Sequence, residues 1–314
     1  MRRYEVAQRS MLPNIRPGQE VVATDSREAD VGEVVVFEHP DRPGFWMIKR
    51  VVEPPEAISA HQAWLLSDNP SETQADSRSL GALPRAALRP VVERLDAETF
   101  VEACLLLAGE DESLAAVVDR RGIPEFWARR PGFATLVLFV LEQQVSLESG
   151  AAMFRRLSGS IGPVTPAAVT AAGEAALRYM GVTRQKTGYL LELATLVTEG
   201  RLDLDAVATL PGHEARRALL EVRGIGPWTA DVYLLSALRH PDVFPVGDRA
   251  LQIGMAEVLG LRSVPDREEM EILASPWQPV RAVAARLIWH DYLSSRGRLE
   301  PPDPLAGHGS DRDA

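Results

Sequence analysis

The chain has 314 residues, 46% of them hydrophobic and 25% charged, the balance of a water-soluble globular protein long enough for two domains. A formal net charge of −10 excludes a uniformly basic nucleic-acid binder, so any hold on phosphate must come from local groups and be salt-sensitive. A single cysteine, Cys104, excludes an internal disulfide and any cluster needing several thiolates, iron–sulfur clusters included.

In chain order, residues 1–94 carry short β-prone runs, Val21–Ala23, Val31–Phe37, Trp46–Ile48 and Arg50–Val52, separated by Pro, Gly and Asp clusters. This texture predicts a small, mostly antiparallel β domain. From Ala97 the pattern becomes helical, with Ala-rich and Leu-rich amphipathic segments over 95–298. The Pro-, Gly- and Asp-rich residues 299–314 read as a disordered tail. Arg2 and Arg3 lack a following apolar run, and the longest such run, Leu136–Leu141, is far too short for a bilayer. A cytoplasmic monomer without a membrane partner is therefore expected. His39, His61, His213 and His240 lack ligand spacing, so nothing suggests a metal enzyme.

The most informative stretch is Leu219–Leu251. An apolar helical pattern ends at Leu219, Leu220 and Val222, Arg223-Gly224-Ile225-Gly226-Pro227 breaks it, and a second helix follows. Pro227 suits the start of that helix, whose N-terminal amides would offer a phosphate site without side-chain charge. Further on stands Phe244-Pro245-Val246-Gly247-Asp248. Alone, Asp248 reads as the N-cap of a helix beginning at Arg249. At this spacing the two segments resemble the helix-hairpin-helix DNA glycosylases, in particular the 3-methyladenine branch. Glu142-Gln143-Gln144-Val145-Ser146, Gly181-Val182-Thr183-Arg184-Gln185-Lys186 and Trp277 to Trp289 resemble further segments of that family, in family order.

The resemblance implies an all-α domain over 95–298 that cleaves the N-glycosidic bond of alkylated purines in damaged duplex DNA. Asp248 would be catalytic. Trp228, Trp289, Gln144 and His290 would form the base pocket, though each tryptophan also suits core packing and His290 also suits the surface. Gly224, Ile225, Gly226, Thr229 and Lys186 would meet DNA. Carbonyls of Leu220, Val222 and Ile225 would hold a monovalent or divalent cation, and no other cofactor is expected. Lyase-active relatives carry a nucleophilic lysine where this chain has Trp228, which implies a monofunctional enzyme.

The N-terminal part has its own motifs. Ser10-Met11-Leu12-Pro13, Val31 to Phe37, Lys49-Arg50-Val51, and Ser67-Asp68-Asn69-Pro70 with Asp76 to Pro84 stand in one order. They resemble the boxes of type I signal peptidases, most of all the small relatives associated with nickel superoxide dismutase maturation. This implies a Ser10–Lys49 dyad acting on a peptide substrate, the lysine neutral through burial. The chain departs from the pattern at Gln8, Arg9, Asn14, Gln19 and Ser67. Two alternatives follow: a peptidase as the main activity with the helical domain as a DNA platform, or a damage-sensing, self-cleaving regulator.

Overall fold

The computed structural model describes residues 1–73, 75–298 and 303–305. The expected tail over 299–314 lies outside the described residues, apart from 303–305. The chain forms two compact units, Met1–Glu112 with Trp277–Val280, and Ser113–Pro276 with the residues from Arg281 on. Among the described residues no helix is long and apolar enough to cross a membrane.

The first unit is built on antiparallel strands. Strands β1 (Arg2–Glu5) and β2 (Glu20–Ala23) pair with each other. A five-stranded sheet runs β6-β5-β4-β3-β7, from β3 (Val34–Glu38), β4 (Trp46–Val52), β5 (Gln62–Leu66), β6 (Leu83–Pro84) and β7 (Arg89–Pro90). Along β4 the side chains alternate, so Met47, Lys49 and Val51 are buried while their neighbours are half-buried. Lys49 thus falls on the core side of the strand, beside the cluster of Val35, Phe37, Met47, Val51 and Leu65. A one-residue shift of register would move it to the other face. The short helix α1 (Ser77–Leu80) follows β5, capped by Asp76, and α2 (Ala97–Glu110) opens at Asp96, whose carboxylate takes the Thr99 amide.

The strand expectations hold with changes. The runs at Trp46–Ile48 and Arg50–Val52 are one strand through Lys49, because the lysine stem can lie along apolar neighbours. Val31-Gly32-Glu33 is a turn, with Gly32 at φ 95°.

The second unit is helical: α3 (Glu112–Arg121), α4 (Phe133–Glu142), α5 (Leu147–Ile161), α6 (Pro166–Tyr179), α7 (Arg184–Thr198), α8 (Leu204–Thr209), α9 (Gly212–Leu220), α10 (Pro227–Ser236), α11 (Arg249–Val258), α12 (Arg267–Ala274) and α13 (Arg281–Ser295). Ser146, Thr165, Thr183, Asp203, Asp248 and Asp266 each accept a backbone amide at a helix start. Each such cap stabilises by about 1 kcal/mol. Helices α4 and α10 are buried on nearly every side, which is why their sequences are apolar without a polar stripe. They are joined where the Gly132 amide donates to the Tyr233 hydroxyl at 2.8 Å and where Phe139 meets the Tyr233 ring edge-on.

Candidate active site

Asp248 sits in a cage of N–H donors. As N-cap of α11 its Oδ1 accepts from the Leu251 amide at 2.8 Å. The same oxygen accepts from Trp289 Nε1 at 3.1 Å, and Oδ2 accepts from Trp228 Nε1 at 2.7 Å. The cap and the candidate catalytic group are therefore the same carboxylate, held from three elements, α10, α11 and α13. An ionised carboxylate offers about four acceptor positions, and these three donors leave one on Oδ2 for a reacting partner. A negative group so fixed can face a developing positive charge with little reorganisation.

The hairpin between α9 and α10 places Trp228 there. Gly224 has φ 93°, and a Cβ at this position would come within 2.7 Å of Tyr189 Cβ and Cδ2. Gly226 differs: a Cβ there would meet nothing within 4 Å, so its backbone is open to approach at the start of α10. The Ile225 side chain is buried and its amide donates to the Val222 carbonyl at 3.0 Å. Thr229 is buried too, and its hydroxyl accepts from Gln143 Nε2 at 2.9 Å. Gln143 also donates to the Gly224 carbonyl at 2.7 Å, bracing the hairpin from the end of α4.

Several expected residues lie elsewhere. Gln144 is exposed, with φ 58°, and the bracing glutamine is its neighbour Gln143. Lys186 points inward: its ammonium donates to the carbonyls of Leu141 at 2.7 Å and Gln143 at 2.8 Å. It satisfies the open C-terminal end of α4, where a cation is favoured, and burial holds its pKa below the usual lysine range. A DNA contact by its side chain does not fit that placement. His290 faces the Arg121 carbonyl at 3.3 Å, because it follows Trp289 on α13 and points about 100° away from it.

Trp127, Arg286 and Gln143 are site residues beyond the sequence expectation. Trp127, on the irregular segment between α3 and α4, packs on Trp289 with ring centroids 5.6 Å apart at 40°. The guanidinium carbon of Arg286 lies 4.2 Å from the Trp127 ring centroid.

Glu142, between the two carbonyls that Lys186 holds, is 5% exposed. Burial pushes its pKa from the ordinary 4.5 up to about 7, against the pull of Arg129 and Lys186. Between those two pH values the folded chain keeps a proton that the unfolded chain has released, so stability falls as pH rises through this window. Glu142→Gln should remove that loss and make the protein about 3 kcal/mol more stable than wild type at pH 8, with little difference at pH 4. Urea unfolding at both pH values checks this; an identical offset at each would contradict it.

In the first unit, Lys49 Nζ donates to Ser10 Oγ at 3.1 Å, and both residues are buried, at 3% and 4% exposure. Burial lowers the Lys49 pKa, while Asp76 and Asp68 pull it back up. The Asn69 amide donates to the Ser10 carbonyl at 2.9 Å and fixes the serine turn. A cavity of about 360 Å³ lined by Gln8, Arg9, Ser10 and Glu72 opens beside it.

The comparisons with known proteins fall on the helical part that holds the hairpin and Asp248. Residues 137–279 match the family described as HhH-GPD superfamily base excision DNA repair protein. The chain is 30% identical over 225 residues to the probable bifunctional transcriptional activator/DNA repair enzyme AlkA of Mycobacterium tuberculosis, covering 68% of this chain and 44% of that protein. It is 29% identical over 108 residues to the DNA-3-methyladenine glycosylase of Bacillus subtilis, covering 34% of this chain and 36% of the relative. The chain spans less than half the length of these two curated relatives. The Schizosaccharomyces pombe 3-methyladenine DNA glycosylase Mag1, solved with abasic DNA, shares the fold with a TM-score of 0.55 at 23% identity, over 60% of this chain and 95% of that one.

Proposed function

We propose that the helical part hydrolyses the N-glycosidic bond of alkylated purines in duplex DNA, with Asp248 as the catalytic carboxylate. The observation that carries this is the pair of indole N–H groups aiming the Asp248 carboxylate beside the hairpin. As the C1′–N bond breaks, its electron pair leaves with the base and C1′ becomes cationic. Asp248 stabilises that charge and orients a water, whose oxygen bonds to C1′ while its proton is released. An alkylated purine is already cationic and leaves readily. Trp228 cannot form a Schiff base, so the product is an abasic site with the strand intact. The base must leave the stack, and the Trp228 ring supplies an aromatic wall. A curated relative named as a DNA-3-methyladenine glycosylase supports this substrate class.

Gly226 and the start of α10 would receive a phosphate next to the damaged nucleotide. A cation at the carbonyls of Leu220, Val222 and Ile225 would add attraction for phosphate. These are neutral oxygens suited to a hard cation, although the Val222 carbonyl already takes the Ile225 amide. The test is incubation of the intact protein with methylated duplex DNA and chromatography of released bases. Free 3-methyladenine is the expected product, and no free base of any alkylated or deaminated kind would overturn the proposal.

A second activity is favoured by the buried Lys49–Ser10 hydrogen bond. Neutral Lys49 would take the Ser10 proton as Oγ attacks a peptide carbonyl, and later return it to the leaving amine. Cleavage of a peptide library should vanish in Ser10→Ala and Lys49→Met while base release stays unchanged. Its rate should rise with pH through the depressed Lys49 pKa, since only the neutral amine accepts a proton. Cleavage that survives Ser10→Ala would contradict the dyad.

A further inference from the structure

We infer that Trp127 and Arg286 are positioning residues for the Asp248 carboxylate, acting through the indole of Trp289. The inference rests on the reading of Asp248 as the reacting group. Trp289 donates to Asp248 Oδ1, yet an indole on a helix can swing about two side-chain torsions, and a swing would withdraw that donor. Trp289 is only 6% exposed, and one packing neighbour is Trp127 at 5.6 Å. Trp127 comes from a segment without regular secondary structure, so its own place needs a fastener.

Arg286 supplies it. Its guanidinium carbon lies 4.2 Å from the Trp127 ring centroid, and Nε and Nη2 donate to the Glu125 carbonyl at 3.3 and 3.0 Å. One residue thereby grips both the ring and the backbone two positions before it. Arg286 and Trp289 are three apart on α13, so they share a side of the helix and can clasp Trp127 together. Arg286 is 3% exposed, and a cation held against an aromatic face away from water is more strongly bound than one at the surface. The order of action is Arg286 to Trp127, Trp127 to Trp289, and Trp289 to the carboxylate.

The role predicts a particular pattern. Loss of the clasp loosens the carboxylate, which matters most where charge develops, so kcat should fall while KM changes little. A residue that only filled space would be replaced equally well by any apolar side chain of similar bulk. Trp127→Leu should lower kcat about tenfold to thirtyfold, a loss of one of three donors' alignment. Trp127→Phe, which keeps an aromatic face for Arg286 and Trp289, should recover most of it. Arg286→Met keeps the stem and removes the guanidinium, and serves where Trp127→Leu does not fold.

A second readout needs no DNA. The intact protein has 6 tryptophans, so an indole N–H spectrum resolves few resonances, and Trp228→Phe and Trp289→Phe assign the two that matter by deleting each in turn. In Trp127→Leu or Arg286→Met the Trp289 resonance should move and that of Trp228 should stay. An unmoved Trp289 resonance in a folded variant, with kcat unchanged, would overturn the inference, as would full activity in Trp127→Leu. Should wild type release no base, the resonances alone decide: a selective Trp289 shift upholds the placement of the carboxylate, and its absence rejects it.

Discussion

Asp248→Asn should lower base release about a thousandfold, some 4 kcal/mol of barrier, while duplex binding changes only a few-fold. The substitution keeps the shape of the side chain and the Oδ1 acceptor for the Leu251 amide, so the helix cap survives. It removes the negative charge that would face the sugar in the proposed reaction. It also turns an amide NH₂ toward Trp228 Nε1, a donor against a donor, where Oδ2 accepted at 2.7 Å. The melting temperature should therefore shift little compared with the loss in rate. Single-turnover release with excess protein isolates the chemical step. A loss of less than tenfold would mean that another group carries the reaction.

Gly224→Ala should be the most damaging single methyl in the helical unit, costing on the order of 3–5 kcal/mol of stability. Two separate effects add. At φ 93° an L side chain is strained, and the new Cβ would come within 2.7 Å of Tyr189 Cβ and Cδ2, with the ring carbon between them closer still. Tyr189 cannot retreat easily: its hydroxyl accepts from Gln185 Nε2 at 2.6 Å, and the Arg223 guanidinium covers its ring at 5.9 Å. Gly226→Ala is the matched control. Its Cβ would enter open space and its φ of −86° suits any residue, so the fold should tolerate it. Denaturant unfolding should separate the two variants by several kcal/mol; equal stabilities would contradict the packing account.

These results would also explain what the sequence could and could not reveal. The hairpin and Asp248 were legible because glycine, proline and aspartate there answer local backbone demands: positive φ, a helix start and a cap. The helical character after Ala97 was legible from periodicity. The burial of Lys49 follows from alternation along β4. Trp127 was not legible, since residues 122–131 carry no period and its partner Trp289 is distant in sequence. Nor could Gln143 be told from Gln144. Adjacent residues with one chemistry diverge only once the chain turns, and Gln144 takes the positive φ. Lys186 is expected to meet DNA from the resemblance of Gly181 to Lys186 to a family segment. Its inward course follows from the exposed carbonyls at the end of α4, a demand that appears only when α7 lies beside α4. Strands β6 and β7 are two residues each, below the length at which a pattern can be read.

In the proposed reaction a fixed carboxylate meets positive charge at C1′. The most direct measurement compares binding of the intact protein to two duplexes, one bearing a cationic pyrrolidine in place of a nucleoside and one bearing its neutral tetrahydrofuran counterpart. Wild type should bind the cationic duplex more tightly, by tenfold or more, and Asp248→Asn should lose that preference. Equal affinity of wild type for both duplexes, or a preference that survives in Asp248→Asn, would contradict the account.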